Sequence, residues 1–212
     1  MSQPPPQIDP LTAETLDQAC RALAGLDPDL GRVHAALGVP PLWGRAPGFP
    51  TLIHIILEQQ VSLASARAAM DRLLVAANPL TPERLLEFDD AEMKTIGFSR
   101  QKMGYARLLA LAILDGFDLD GLSNLEDDEV RARLIALKGI GRWSADIYLL
   151  MALLRPDVWP RGDLALVAAA QQVKGLAARP SPEEFESLGD AWRPYRAAAA
   201  RLLWWHYLGG KD

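Results

Sequence analysis

Residues 137–163, LKGIGRWSADIYLLMALLRPDVWPRGD, combine a glycine-pinched turn, a helical stretch and a lone carboxylate after a Trp-Pro-Arg-Gly approach. Leu134–Lys138, Gly139-Ile140-Gly141 and Arg142–Leu154 read as helix, hairpin and helix. Glycine lets the backbone turn tightly and approach a ligand, and the first amides of a helix carry the partial positive charge that meets an anion. An ordinary helix–helix turn carries the same G-x-G pattern. The flanking Lys138 and Arg142, with Asp163 downstream, turn the reading toward a phosphate grip beside a chemically active group.

The rest of the chain sets the frame for that stretch. Its 212 residues, 50% of them hydrophobic, suffice for one or two compact units with a proper core. No run reaches the roughly 20 apolar residues needed to cross a bilayer, and the start MSQPPPQIDP has neither the basic nor the apolar region of a signal peptide. A cytosolic, nucleoid-associated protein is expected. Cys20 is the single cysteine, which excludes intrachain disulfides, four-cysteine zinc sites and a cysteine-ligated iron–sulfur cluster, and His34, His54 and His206 are scattered. The formal net charge is −5, yet the charge is uneven. Lys94, Arg100, Lys102 and Arg107 follow one another without an intervening acid, and between residues 131 and 161 six basic residues face Asp146 and Asp157. Acid collects at Asp115, Asp118, Asp120, Glu126, Asp127, Asp128 and Glu129. Two basic segments on an acidic body fit a directional contact with a polyanion, or simply two solvated helix faces.

Helical spacing dominates and no alternating strand pattern stands out, so the spacing predicts an all-α fold. Helices are expected over 11–25, 29–37, 49–59, 62–77, 82–87, 89–96, 99–115, 127–136, 141–154, 163–173, 182–189 and 192–208. Thr81 and Ser181 precede a proline and acids at first helical turns, and Asp163 itself stands where a helix begins. No repeat of 20–50 residues indicates a solenoid. The Pro-rich stretch 38–50 and the acidic stretch 115–129 are the expected crossings between lobes, with about 1–45 plus 155–212 in one and about 46–154 in the hairpin-bearing other.

Five ordered segments carry a resemblance: FPTLIHIILEQQVS at 49–62, IGFSRQKMGYA at 96–106, LKGIGRWSA at 137–145, WPRGD at 159–163 and WRPYRAAAARLLW at 192–204. Between about residues 27 and 208 the chain resembles the helix-hairpin-helix DNA glycosylase superfamily, and within it the 3-methyladenine DNA glycosylase II branch. The resemblance implies two helical lobes with a cleft between them, the hairpin on one lip, Asp163 facing in as the catalytic residue, and a kinked duplex with one nucleotide flipped out. Many members of that branch carry a further N-terminal α/β domain, for which the first 45 residues leave no room.

Residue chemistry fits that activity. Dissociative cleavage of an N-glycosidic bond builds positive charge on the sugar, which an ionised Asp163 stabilises, orienting or deprotonating the attacking water as well. Asp163 capping its own helix is the plainer reading, and the two roles are compatible. In relatives of the endonuclease III and 8-oxoguanine glycosylase type, a lysine two residues beyond the second hairpin glycine attacks the sugar; here that position is Trp143. Indole forms no Schiff base, so the sequence predicts a monofunctional enzyme without lyase activity. Alkylation at a purine ring nitrogen gives a cationic leaving group drawn to aromatic faces. Trp143 and Trp204, with Tyr148 close by, resemble the family's aromatic base pocket, although each also reads as core packing. Ile147 and Leu164 stand where the branch carries further aromatics.

Amides of Gly139 and Gly141, joined by Lys138 and Arg142, are expected on phosphate. The carbonyls of Ile135, Leu137 and Ile140 resemble the family's loop for a monovalent cation, Na+ or K+; no cofactor is required for the chemistry. Arg100 aligns near the residue that wedges into the gap left by the flipped base, or is a surface arginine. Gln59, Gln60 and Ser62 resemble the cleft-lining segment that meets base edges, or tie two helices together. The expected partner is double-stranded DNA carrying damaged bases, bound by a monomer. The alternatives are a glycosylase for deaminated or oxidised bases, a non-catalytic helix-hairpin-helix module and a helical interaction scaffold.

Overall fold

Short polar residues set most of the helix starts. Thr12, Asp27, Ser62, Thr81, Asp89, Ser99, Asp163 and Ser181 each accept a backbone N–H from the first turn of the helix that follows. Thr81 and Ser181 precede prolines at the first helical position, where the missing N–H costs no bond, and Ser181 closes a reciprocal cap with Glu184. The computed structural model describes residues 9–210; the proline-bearing start read as lacking signal-peptide character lies largely outside the described residues.

Among the described residues there are twelve α-helices, one 3-10 helix and no strand. The α-helices are α1 (Ala13–Leu26), α2 (Pro28–Leu37), α3 (Phe49–Glu58), α4 (Leu63–Ala76), α5 (Pro82–Leu86), α6 (Asp90–Ile96), α7 (Arg100–Leu114), α8 (Asp127–Ile135), α9 (Arg142–Met151), α10 (Leu164–Val173), α11 (Pro182–Ala191) and α12 (Arg196–Tyr207). The all-α expectation holds, and each expected helix is present. Two ends differ by more than the usual fraying. The last helix starts at Arg196 rather than 192, because Pro194 precedes it and proline supplies no N–H to continue a helix. The hairpin's second helix ends at Met151, and Leu154 then takes a left-handed φ of 53°. The 3-10 turn Asp120–Asn124 has no counterpart among the expected elements.

The described chain divides into two units. Residues Arg45–Tyr148 form the first; residues 9–44 and 149–210 form the second. One boundary therefore falls in the Pro-rich stretch 38–50. The other falls inside α9, not in the acidic stretch 115–129, which lies wholly within the first unit. Charge and composition marked that stretch as a crossing, whereas packing decides where a unit ends.

In the first unit α3 is the central rod, with Phe49, Leu52, Ile53, Ile55, Ile56 and Leu57 buried around most of its circumference and α4 and α7 packed on it. In the second, α12 packs against α1, α2, α10 and α11. Ala197–Ala200 let those helices approach closely, and Arg201 is buried among them. Its guanidinium donates to the carbonyls of Leu42 (3.0 Å), Leu150 (2.8 Å) and Ala197 (3.1 Å). Burial pushes its pKa down to about 10, so it stays protonated at neutral pH.

Asp27 joins three elements of that unit. It caps α2 through Asp29 and Leu30 N–H groups, accepts the Trp192 indole N–H at 2.8 Å, and pairs with Lys174 at 3.1 Å. Burial raises its pKa, and the donors outweigh that effect and hold the carboxyl below its ordinary value. A depressed folded-state pKa means stability that is present above the unfolded value and lost as pH falls through the folded one. Asp27→Ala is expected to destabilise the protein by about 2–4 kcal/mol, the sum of a lost cap and an unpaired indole N–H. Thermal melts should show the gap from wild type constant between about pH 5 and pH 8 and closing below about pH 4.

Candidate active site

The candidate groups fall into two sets, one in each unit. The first gathers around the hairpin between α8 and α9. Gly139 takes φ 96°, and a Cβ there would overlap the root of the Tyr105 ring on α7, so glycine is required twice over. Gly141 is exposed, and its carbonyl accepts the Ala145 N–H that opens α9. Lys138 is exposed beside it. Arg142 donates through Nε to Asp146 at 2.9 Å, and Arg131 donates to the other oxygen of the same fully buried carboxylate at 2.7 Å. Arg142 thus has a protein partner, although much of its side chain faces solvent. The second basic segment behaves likewise: Lys102 donates to the Leu57 carbonyl at 2.7 Å and Arg107 pairs with Asp90. Much of the apparent basicity is internal pairing.

Gln59, at the end of α3, donates to the Gly139 carbonyl (2.9 Å) and contacts Ser144 Oγ (3.0 Å), tying α3 to the hairpin. Of the two readings of Gln59, the helix tie is the one seen. Gln60 follows at φ 56° and Ser62 caps α4, both exposed. This turn also presents Val61 and Leu63, 47% and 62% exposed, which sequence reading passed over. Arg100 opens α7 and is exposed. Trp143 lies half-buried in the first turn of α9.

Tyr148 requires a correction. It is fully buried, and its hydroxyl accepts the Gly48 N–H at 3.1 Å at the start of α3, so no ring face is open to a base. Burial raises its pKa. The carbonyls of Ile135, Leu137 and Ile140 lie in the segment that turns from α8 into α9, and the Leu137 oxygen accepts the Ile140 N–H at 3.1 Å. These are hard oxygen donors of the kind an alkali cation takes, and the second lone pair of Leu137 suits such an ion. Among the described residues no cluster of three His, Cys, Asp or Glu side chains could hold a metal.

The second set centres on Asp163, 8% exposed. Its Oδ1 accepts the Leu166 N–H at 2.9 Å, capping α10, and the Trp204 indole N–H at 3.2 Å. Trp204 is therefore placed by a polar contact as well as by packing. Its ring meets that of Trp43 edge-on at 6.5 Å and 73°. Leu164, next to the carboxylate, is 75% exposed.

Residues 53–194 match the model of the HhH-GPD superfamily base excision DNA repair proteins, and the chain belongs to that family. It is 29% identical over 160 residues to the alkylbase DNA glycosidase-like protein mag2 of Schizosaccharomyces pombe, covering 72% of this chain and 75% of that one. It is 29% identical over 161 residues to DNA-3-methyladenine glycosylase 1 of the same yeast, covering 74% and 71%. A solved structure of the same yeast's 3-methyladenine DNA glycosylase Mag1 in complex with abasic DNA superposes with a TM-score of 0.75 at 27% identity, covering 89% of this chain and 95% of that one. Among the described residues no helix is long and apolar enough to cross a membrane.

Gly139→Ala is expected to cost about 2–5 kcal/mol, from a left-handed backbone at a residue with a Cβ and overpacking against Tyr105. Urea denaturation measures the loss, and a fluorescence-anisotropy titration with duplex DNA should show weakened binding by the fraction that remains folded.

Proposed function

We propose that this chain is a monofunctional DNA glycosylase that removes alkylated purines, of the 3-methyladenine and 7-methylguanine type, from double-stranded DNA in base excision repair. The observation that carries the reading is Asp163, a largely buried carboxylate held at one oxygen by the α10 amide and the Trp204 indole, in a chain of the HhH-GPD family. Relatives named for 3-methyladenine excision support the substrate class.

In the proposed reaction the C1′–N bond breaks with its electron pair passing to the base. An alkylated purine carries a positive charge already and departs neutral, so no general acid is needed at that step. The sugar left behind is an oxocarbenium ion, which the largely buried Asp163 carboxylate stabilises. Water then adds to C1′ and its proton passes to Asp163 or to solvent, leaving an abasic site. Asp163 is suited to this because donors that include the Leu166 N–H and the Trp204 indole set its orientation before substrate arrives. Trp204, bonded to that carboxylate, supplies an aromatic face for the cationic base; in the hairpin-bearing unit, Trp143, Gln59 and Ser62 are assigned to base recognition by resemblance. Trp143 has no amine, so no covalent sugar adduct forms and the strand is not cut.

Duplex holding falls to the amides of Gly139 and Gly141, to Lys138 and Arg142, and to the exposed Gln60 and Arg100. A monovalent cation on the Ile135, Leu137 and Ile140 carbonyls would add positive charge there. Exposed Val61 and Leu63 are suited, as apolar side chains beside the grip, to enter the space between base steps. The protein acts as a monomer and needs no other cofactor.

Incubated with methylated duplex, wild type should release free 3-methyladenine and 7-methylguanine, while Asp163→Asn slows release by about a hundredfold or more and still binds an abasic duplex. Undiminished release by that variant refutes the reading. Borohydride treatment during turnover is expected to trap no protein–DNA adduct; a trapped adduct would overturn the monofunctional assignment.

A further inference from the structure

Trp43 is held in a conformation that its own residue type disfavours. Its φ is 49°, in the left-handed region, in a loop that precedes α3. Such a backbone persists when its surroundings over-determine it. The adjoining Leu42 carbonyl accepts from Nε of the buried Arg201 at 3.0 Å, and the same guanidinium holds the carbonyls of Leu150 and Ala197. The ring of Trp43 stands edge-on to two consecutive indoles of α12, Trp204 at 6.5 Å and Trp205 at 6.0 Å. Both of those indoles have their N–H committed: Trp205 donates to the Leu37 carbonyl at 3.0 Å and Trp204 to Asp163 Oδ1 at 3.2 Å.

We propose that Arg201 and Trp43 are positioning residues for Asp163: Arg201 pins the loop at Leu42, the loop presents the Trp43 ring to Trp204, and the ring keeps the Trp204 N–H on the carboxylate. A terminal indole torsion is broad unless neighbours confine it, and Trp43 is a ring neighbour of Trp204 in a T-shaped contact. An aromatic ring therefore matters at position 43 for the reaction step, while the hairpin that grips phosphate lies on other elements and is untouched. The inference rests on the reading of Asp163 as the catalytic carboxylate.

The test compares single-turnover release of 7-methylguanine from methylated duplex with affinity for an abasic duplex, for wild type, Trp43→Ala, Trp43→Phe, Arg201→Lys and the Trp43→Ala/Arg201→Lys pair, with melting temperatures recorded. Trp43→Ala should release base at least tenfold more slowly with abasic-duplex affinity within twofold of wild type, and Trp43→Phe should recover to within threefold. Arg201→Lys should also slow release, and adding Trp43→Ala to it should cost less than threefold more, since both act through one contact. Trp43→Phe no better than Trp43→Ala, release by Trp43→Ala within twofold of wild type, or rate and affinity falling in proportion would each overturn the proposal. If Arg201→Lys fails to fold, the two Trp43 variants decide alone. Asp163→Asn run alongside separates the failures: inactive Asp163→Asn with normal Trp43→Ala sinks only the positioning inference, whereas active Asp163→Asn sinks it together with the function.

Discussion

A guanidinium with no access to water, bonded to three main-chain carbonyls, is the constraint on which the second unit depends. An uncompensated charge in that position would cost far more than any single contact in the unit supplies, so the surrounding chain has to satisfy Arg201. It does so with oxygens from three places: the body of α12, the end of α9 and the loop before α3. Because carbonyls are dipoles rather than full charges, several must converge, and convergence fixes backbone rather than side chains. Trp43, Trp204 and Asp163 inherit their places from that arrangement.

The first unit is organised differently. Its hairpin rests on glycine at position 139, pressed on Tyr105, and on Gln59, which reaches from α3 to the Gly139 carbonyl and Ser144. The amide of Gln59 works as a strut, so the turn is held by the most buried helix of its unit.

Much of this was legible in the sequence because it is local. Thr81, Ser181 and Asp163 announce helix starts through chemistry that acts within three residues, and every expected helix is present. The start of α12 was misplaced because the helical spacing was carried on through Pro194, where a helix loses its N–H. Long-range bonds left little trace. Tyr148 reads as a pocket aromatic, yet its hydroxyl is taken by Gly48, a hundred positions away. Trp204 and Asp163 are 41 residues apart, and nothing in either neighbourhood announces their hydrogen bond. Arg201, in an alanine-rich helix, resembles a solvated cation until packing puts it inside. The pairing of Arg142 with Asp146 was within reach, since residues four apart on a helix are neighbours.

That last pair bears on how strongly ionic strength governs the protein. Asp146 is buried between Arg131 and Arg142, and its charge offsets theirs in the helix that follows the hairpin proposed to hold phosphate. Each phosphate neutralised by a free lysine or arginine releases condensed counterions, and that release makes affinity fall as salt is added. In the grip proposed above, that offset leaves the main-chain dipoles with Lys138 and Arg100, and fewer counterions are released than the count of basic residues implies. Electrolyte should therefore loosen this protein from the double helix only gently.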